Sequence, residues 1–369
     1  MDYAISTPLA RFRNILGISV WSFAAQWIFF VIPALYLATN WYFLRGLHGH
    51  GIAPIMALLF DLLSFSLPVG IIGVLIVRLV QYIFIEKPEH PALVLLSEIK
   101  ELFTKPARII NAMPVFLAMI FFNKAMVELK PAIPAINPFS WDTTFAQLDR
   151  TLHFGVDPWV LLQPLMGYDS VTFAVNIAYD FWFVALFGTW LWFGFRKDAN
   201  ELRTRFFLAY MLSWWVGGGI LALVFSSAGP VYYSAIGLTP DPFAAHMAYL
   251  NGVNSRVPIW AMDAQKLLWD GYIGKAVAIG ISAFPSMHNA SAMLFALALS
   301  KCSRGLGYVF FAYVVVIFLG SVHLGWHYAI DGYAGIIIGY LGWVAAGPIA
   351  RWFTQLETTR RFNASLASL

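Results

Sequence analysis

Charge is scarce in this chain: Asp, Glu, Lys and Arg make up 11% of its 369 residues, against roughly 25% in soluble domains. So few charges cannot keep a surface of this size solvated, and an ordinary soluble globule is excluded. Cysteine is nearly missing too, Cys302 being the only one, which excludes an intrachain disulfide and a thiolate metal cluster. No basic face with interleaved aromatics occurs, so the net charge of +4 does not point to a nucleic-acid partner. What fills the chain instead is apolar, 60% of residues, with 17% aromatic. That composition belongs to an integral membrane protein.

The apolar runs predict an all-α membrane protein with about eight transmembrane helices. They lie at about 16–39, 53–85, 107–127, 171–195, 206–228, from Met287, 306–321 and 327–350; the 53–85 run exceeds the ~20 residues that cross hydrocarbon and is expected to tilt or to continue past the interface. The first run is too long for a signal-peptide core and is read as a retained span. Asp61, Arg78 and Asp180 fall inside runs and are expected to be paired structurally. An amphipathic piece covers 91–103, and a non-spanning outer segment 128–170 follows the third run. In it Phe145, Leu148 and Leu152 repeat at helical spacing, with Asp142 as cap and Gly155 as stop, and Asp157-Pro158-Trp159 opens another short helix at the interface. The long loop from Gly229 to Ser282 holds Tyr232, Tyr233, Trp260, Trp269 and Tyr272 and suits a lid or substrate wall. The domain reading is a two-span module with an amphipathic linker at 1–106, a six-span core at 107–353 with its outer loop at 229–284, and a cytoplasmic tail at 354–369.

Most of the 23 Lys and Arg, among them Arg11, Arg13, Arg196, Lys197, Arg203, Arg205, Arg360 and Arg361, fall on one set of connecting segments. The positive-inside rule then places both termini in the cytoplasm. His288 and His327, at the starts of the sixth and eighth spans, land together on the extracytoplasmic face.

Two stretches carry chemistry. Ala-Phe-Pro-Ser-Met-His at 283–288 opens an apolar helix and leaves His288 at its beginning, where unpaired backbone N–H groups and the positive dipole end favour an anion such as phosphate. In His-Leu-Gly-Trp-His-Tyr-Ala-Ile-Asp at 323–331, His327 and Asp331 are four apart. On a helix they share a face, so the carboxylate can hold one imidazole nitrogen while the other meets a substrate. His323, His327 and Asp331 could instead hold a zinc-type ion, but Gly325 interrupts the helix this needs and Pro285-Ser286 is left unexplained. Neither metal nor cofactor is expected. Gly335 and Gly339 on the last span read as close helix packing.

With these motifs the sequence resembles the phosphatidic acid phosphatase type 2 superfamily, a six-helix membrane fold whose core is shared with soluble vanadium haloperoxidases. Its Pro-Ser-x-His motif is matched by Pro285-Ser286-Met287-His288. Its Ser-Arg-x5-His-x3-Asp motif is matched at His327 and Asp331, but Gly320 and Ser321 stand where Ser and Arg should be. Its Lys-x6-Arg-Pro motif finds only Arg256-Val257-Pro258, with Tyr249 at the lysine position. The missing Arg, with Phe-Ala-Gln-Leu-Asp-Arg-Thr-Leu-His-Phe-Gly and Ser-Ser-Ala-Gly-Pro-Val-Tyr-Tyr, resembles the branch of fungal inositol phosphorylceramide synthase; the similarity covers roughly 107–350.

The resemblance implies that His327 attacks a lipid-linked phosphorus to form a phosphohistidine. Asp331 would fix its tautomer, and His288 would protonate the leaving oxygen. Ser286 would hold phosphoryl oxygens, and Lys275, Lys266, Arg256 or His323 would take over from the missing Arg. The expected partners are a phospholipid donor and a lipid hydroxyl acceptor, or water. Phosphotransfer between lipids is the favoured reading, hydrolysis of phosphatidic acid or a polyprenyl phosphate the second. A non-catalytic lipid binder or transporter is the third, although no internal repeat supports it.

Overall fold

The computed structural model describes residues 8–46 and 67–369, and among them the chain is helical throughout with no strand. Helix α1 runs Pro8–Ala25, and a 3-10 turn at Trp27–Phe30 leads into α2, Val31–Leu44. The first apolar run is therefore two helices. It breaks at Gln26, which is fully buried, donates to the Asn111 carbonyl at 3.2 Å and accepts from Arg203 Nη1 at 2.8 Å. Burying a charged Arg is tolerable only with such partners, so Arg203, counted above as a loop charge, is a structural residue.

Asp61 and the beginning of the 53–85 run lie outside the described residues. Helix α3, Leu67–Gln81, carries Arg78, whose guanidinium pairs with Glu98 and also reaches Gln81 and Tyr82. Helix α4 is Pro91–Thr104 and α5 is Pro106–Ile136. The third span thus continues through Pro131 and Pro134 into the segment expected to lie at the interface. Proline is tolerated in a membrane helix because neighbours can re-satisfy the freed backbone groups.

Two short helices follow, α6 at Asp142–Leu152 and α7 at Pro158–Met166, before the spans α8, Asp169–Gly194, and α9, Glu201–Ser213, the latter extended by a π-turn to Val224. The long loop folds into α10, Ala244–Asn254, and α11, Trp260–Tyr272. Then come α12, Met287–Ser300, α13, Arg304–His323, α14, Ala329–Gln355, and α15, Glu357–Ala367. The expected tail is mostly this last helix, which buries Phe362 and Leu366 against Ile18 and Ile110. Among the described residues six helices are long and apolar enough to cross a membrane, with α12 and the start of α3 as shorter apolar helices.

Helix α12 is the axis of the bundle. It packs on α13, α14, α9 and α8, and its alanines, Leu294 and Phe295 are buried on every side. Small residues let the partner come close. A Cβ on Gly335 of α14 would stand 2.2 Å from the Ser286 carbonyl oxygen, and one on Gly339 2.4 Å from that of Ala290. Both glycines are contact points between helices, as their spacing suggests.

Candidate active site

The beginnings of α12 and α14 meet at one end of the bundle. Ser286, the N-cap of α12, donates its backbone N–H to the Asp331 carbonyl at 2.9 Å, and its hydroxyl accepts from Asn289 Nδ2 at 3.0 Å. This bond between backbones fixes the two motifs against each other. Two residues on, His288 turns its ring toward α8 and lies on Tyr179 (centroids 4.8 Å apart, planes at 21°) and against Trp182 (4.2 Å, 40°).

His327 does not sit on a helix. It lies in the turn between α13 and α14, where Gly325 adopts φ +73° and the Ser321 carbonyl accepts from the N–H groups of both Trp326 and His327. Asp331 is in the first turn of α14 and folds back to accept from the Tyr328 N–H at 3.0 Å, and Nδ1 of His327 lies 3.3 Å from the same oxygen. The pair thus arises from the way the helix is capped, where the sequence spacing suggested a shared helical face. Burial pushes the His327 imidazole down to about 3, although the Ala283 carbonyl beside the ring favours its charged form. At ordinary pH the ring is neutral and keeps a lone pair on one nitrogen.

A cation overlooked in the sequence completes the group. Lys130, near the end of α5, is close enough for its charge to act on the rings of both His288 and His327. It makes no ion pair among the described residues. A signal was present, because six residues separate Lys130 from Asn137-Pro138, the Lys-x6-Arg-Pro spacing with Asn in place of Arg. The substituted Asn137 is engaged elsewhere, donating to the Leu223 and Val224 carbonyls.

The other cations proposed for the phosphate are occupied or exposed. Arg256 is held by Asp169 at 2.6 Å on the surface, Lys266 by Asp270 at 2.7 Å, and Lys275 is exposed. Tyr249, at the lysine position of the weaker motif match, bonds Thr172 at 2.7 Å. His323 points to the same threonine at 2.9 Å and is fully buried, so it does not join His327 and Asp331 as a third ligand. Ser321, in the place of the Arg, is fully buried, with its hydroxyl 3.4 Å from Asn289 Nδ2. Asp180 accepts from Asn176 at 3.3 Å. Among the described residues no group of three His, Cys, Asp or Glu side chains is arranged to hold a metal ion.

Helix α6 borders the site with a polar face that sequence reasoning took for a cap and an apolar stripe. Asp142 and Asp149, seven residues apart, are buried with Phe145 and Ala146 between them, while Leu148 and Leu152 point outward. Asp142 accepts from the N–H groups of Ala228 and Gly229 and from the Tyr328 hydroxyl at 2.9 Å. Asp149 accepts from the N–H groups of Ala329 at 2.7 Å and Ile330 at 2.8 Å, the free donors that open α14.

Residues 143–345 match the sequence profile of the PAP2 superfamily. The catalytic subunit of inositol phosphorylceramide synthase, aur1, of Schizosaccharomyces pombe is 28% identical over 145 residues, a stretch covering 37% of this chain and 33% of the yeast protein. The match therefore spans about a third of the length of that relative. No solved structure matches.

Proposed function

Since the chain belongs to the PAP2 superfamily, whose members are phosphatases and phosphotransferases, we propose that it is a membrane-embedded lipid phosphotransferase. It carries a phosphoryl headgroup from a phospholipid to a lipid hydroxyl through a phosphohistidine. The observation that supports this best is the convergence of a neutral His327, its carboxylate partner Asp331, the acid His288 and the cation Lys130 at one end of α12.

With Nδ1–H held by Asp331, Nε2 of His327 carries the lone pair that attacks phosphorus. The P–O bond to the departing glyceride breaks, and His288, charged once the anionic phosphate is bound beside it, gives its proton to that oxygen. Lys130 balances charge on the equatorial oxygens, most usefully as it builds up in the transition state. In the second half His288, now neutral, takes the proton of the acceptor hydroxyl as its oxygen attacks the phosphohistidine. The P–N bond breaks, and both histidines return to their starting forms. Asp331 holds the imidazole orientation throughout.

Transfer is favoured over hydrolysis because His327 is only 9% exposed, and because the yeast relative is named an inositol phosphorylceramide synthase. The extracytoplasmic placement rests on charge. Arg108, Arg196, Arg203 and Arg205 gather where α5 begins, α8 ends and α9 begins, while the site lies where α5 ends.

Purified protein in detergent, given phosphatidylinositol and fluorescent ceramide, is expected to form a phosphorylated fluorescent lipid. His327→Ala abolishes turnover and His288→Ala nearly does. Phosphate release from dioctanoyl phosphatidic acid without transfer would establish the hydrolase instead. Wild-type rates in His327→Ala would overturn the mechanism.

A further inference from the structure

The turn bearing His327 is held from outside the two catalytic helices, and the strongest hold comes from α6. Asp142 and Asp149 are two helical turns apart on one face. One carboxylate grips the hydroxyl of the residue after His327 and the backbone of loop 228–229. The other receives the first two N–H groups of α14. Asp331 sits in that same first turn, two residues after Ala329. A shift of these amides displaces the Asp331 carboxylate and with it the Nδ1 contact that orients the nucleophile.

We propose that α6 is a clamp that positions the His327–Asp331 pair, with Asp149 and Asp142 as its two positioning residues. The proposal rests on the phosphohistidine reading above and adds to it a device borne on neither motif. An amphipathic helix that otherwise only lies beside the bundle would have no need of two buried carboxylates, since each one removed from water costs several kcal/mol unless donors replace the lost hydration. Here five hydrogen-bond donors from the turn and the neighbouring loop supply that replacement: four backbone N–H groups, from Ala228, Gly229, Ala329 and Ile330, and the Tyr328 hydroxyl.

The clamp carries a pH dependence. Burial raises the Asp149 carboxyl to about 7, with the Asp331 charge adding to the rise while the Ala329 and Ile330 N–H groups and His153 oppose it. Tyr333 of α14 also faces it. Above that pH the carboxylate accepts both amides. Below it one oxygen carries a proton and the grip on α14 weakens, so kcat falls on the acid side.

Asp149→Asn tests the idea, because the amide keeps size and one acceptor but presents an NH2 group to the second N–H. The expected result is kcat lowered by roughly 10- to 100-fold with KM within about twofold, loss of the acid limb near pH 7, and faster amide hydrogen exchange in the peptide covering 326–333. Tyr328→Phe, which removes one hydroxyl and no charge, is expected to lower kcat by about 2- to 5-fold and serves where the first variant does not fold. Wild-type kcat with an unchanged pH profile in Asp149→Asn, while His327→Ala is dead, overturns the clamp and leaves the phosphohistidine reading standing. A wild type inactive on the lipids above refutes that reading instead, and the exchange measurement still decides the clamp: unchanged exchange in Asp149→Asn overturns it.

Discussion

Replacing Gly335 by alanine perturbs the joint between α12 and α14 without touching the side chains of His288, His327 or Asp331. The added Cβ would stand 2.2 Å from the Ser286 carbonyl oxygen and 3.2 Å from Cβ of Asn289. A Cβ essentially never stands within 3.0 Å of such an atom, so α12 and α14 must separate by at least 3.0 − 2.2 = 0.8 Å. Neither atom is a flexible tip that can swing aside. Overpacking of this kind costs about 1–3 kcal/mol of stability, which a bundle this size survives. The displacement falls on the residue whose N–H bonds the Asp331 carbonyl, and misplacement of reacting groups by about 1 Å costs on the order of 100-fold in rate. The expected variant is folded, melts a few degrees lower and retains about 1% of wild-type kcat. Gly17→Ala is the control: nothing lies within 4 Å of that Cβ, and activity should not change. The assay is fluorescent-lipid transfer in detergent with a parallel thermal melt. Gly335→Ala with kcat within twofold of wild type would refute the claim that this contact fixes the site.

Three further outcomes are expected. Lys130→Met, which keeps the apolar stem and removes the charge, should lower kcat by roughly 100- to 1000-fold with normal elution on size-exclusion chromatography; wild-type turnover would remove Lys130 from the site. Arg256→Ala and Lys266→Ala break exposed ion pairs and should leave both rate and melting temperature nearly unchanged, as steady-state kinetics on both variants will tell. The third concerns acid stability. Burial lowers His246, stacked on Trp159, to about 4. The folded chain then binds fewer protons than the unfolded one between about pH 6.5 and 4, and stability is lost as pH falls through that window. Melting at pH 7 and pH 5 should show the drop, and His246→Gln should reduce it; an equal drop in the variant would assign the effect to other groups.

The helical, apolar character of the chain was legible from length and apolarity: among the described residues six helices are long and apolar enough to cross a membrane, with α12 and the start of α3 as shorter apolar helices. The break at Gln26 was not, since one amide in an apolar run shows nothing of an Arg203 that lies 177 residues further on. The meeting of His327 with Asp331 was legible from short-range spacing. The cap geometry behind the last pair was hidden, because i to i+4 describes both a helical face and a turn folded back on a helix start. Lys130 stayed hidden inside a 31-residue helix with three internal prolines, its motif altered at the arginine. Asp142 and Asp149 were hidden for a different reason. Their partners are mostly backbone N–H groups, some 180 residues away, and backbone donors leave no mark on composition or periodicity.

The serine at position 321 bears on which phosphorus compound the proposed reaction would take. Ser321 and Asn289 place neutral dipoles where a guanidinium would otherwise stand, and among the described residues Lys130 is the one Lys or Arg whose charge acts on both histidines. A single positive charge matches a phosphodiester, which carries one negative charge, better than a phosphomonoester, which carries close to two at neutral pH. On the proposed mechanism, charge balance then favours a headgroup still attached at both ends. Competition between phosphatidylinositol and phosphatidic acid for the wild type should show this as a preference for the diester, and an equal or reversed preference would contradict it.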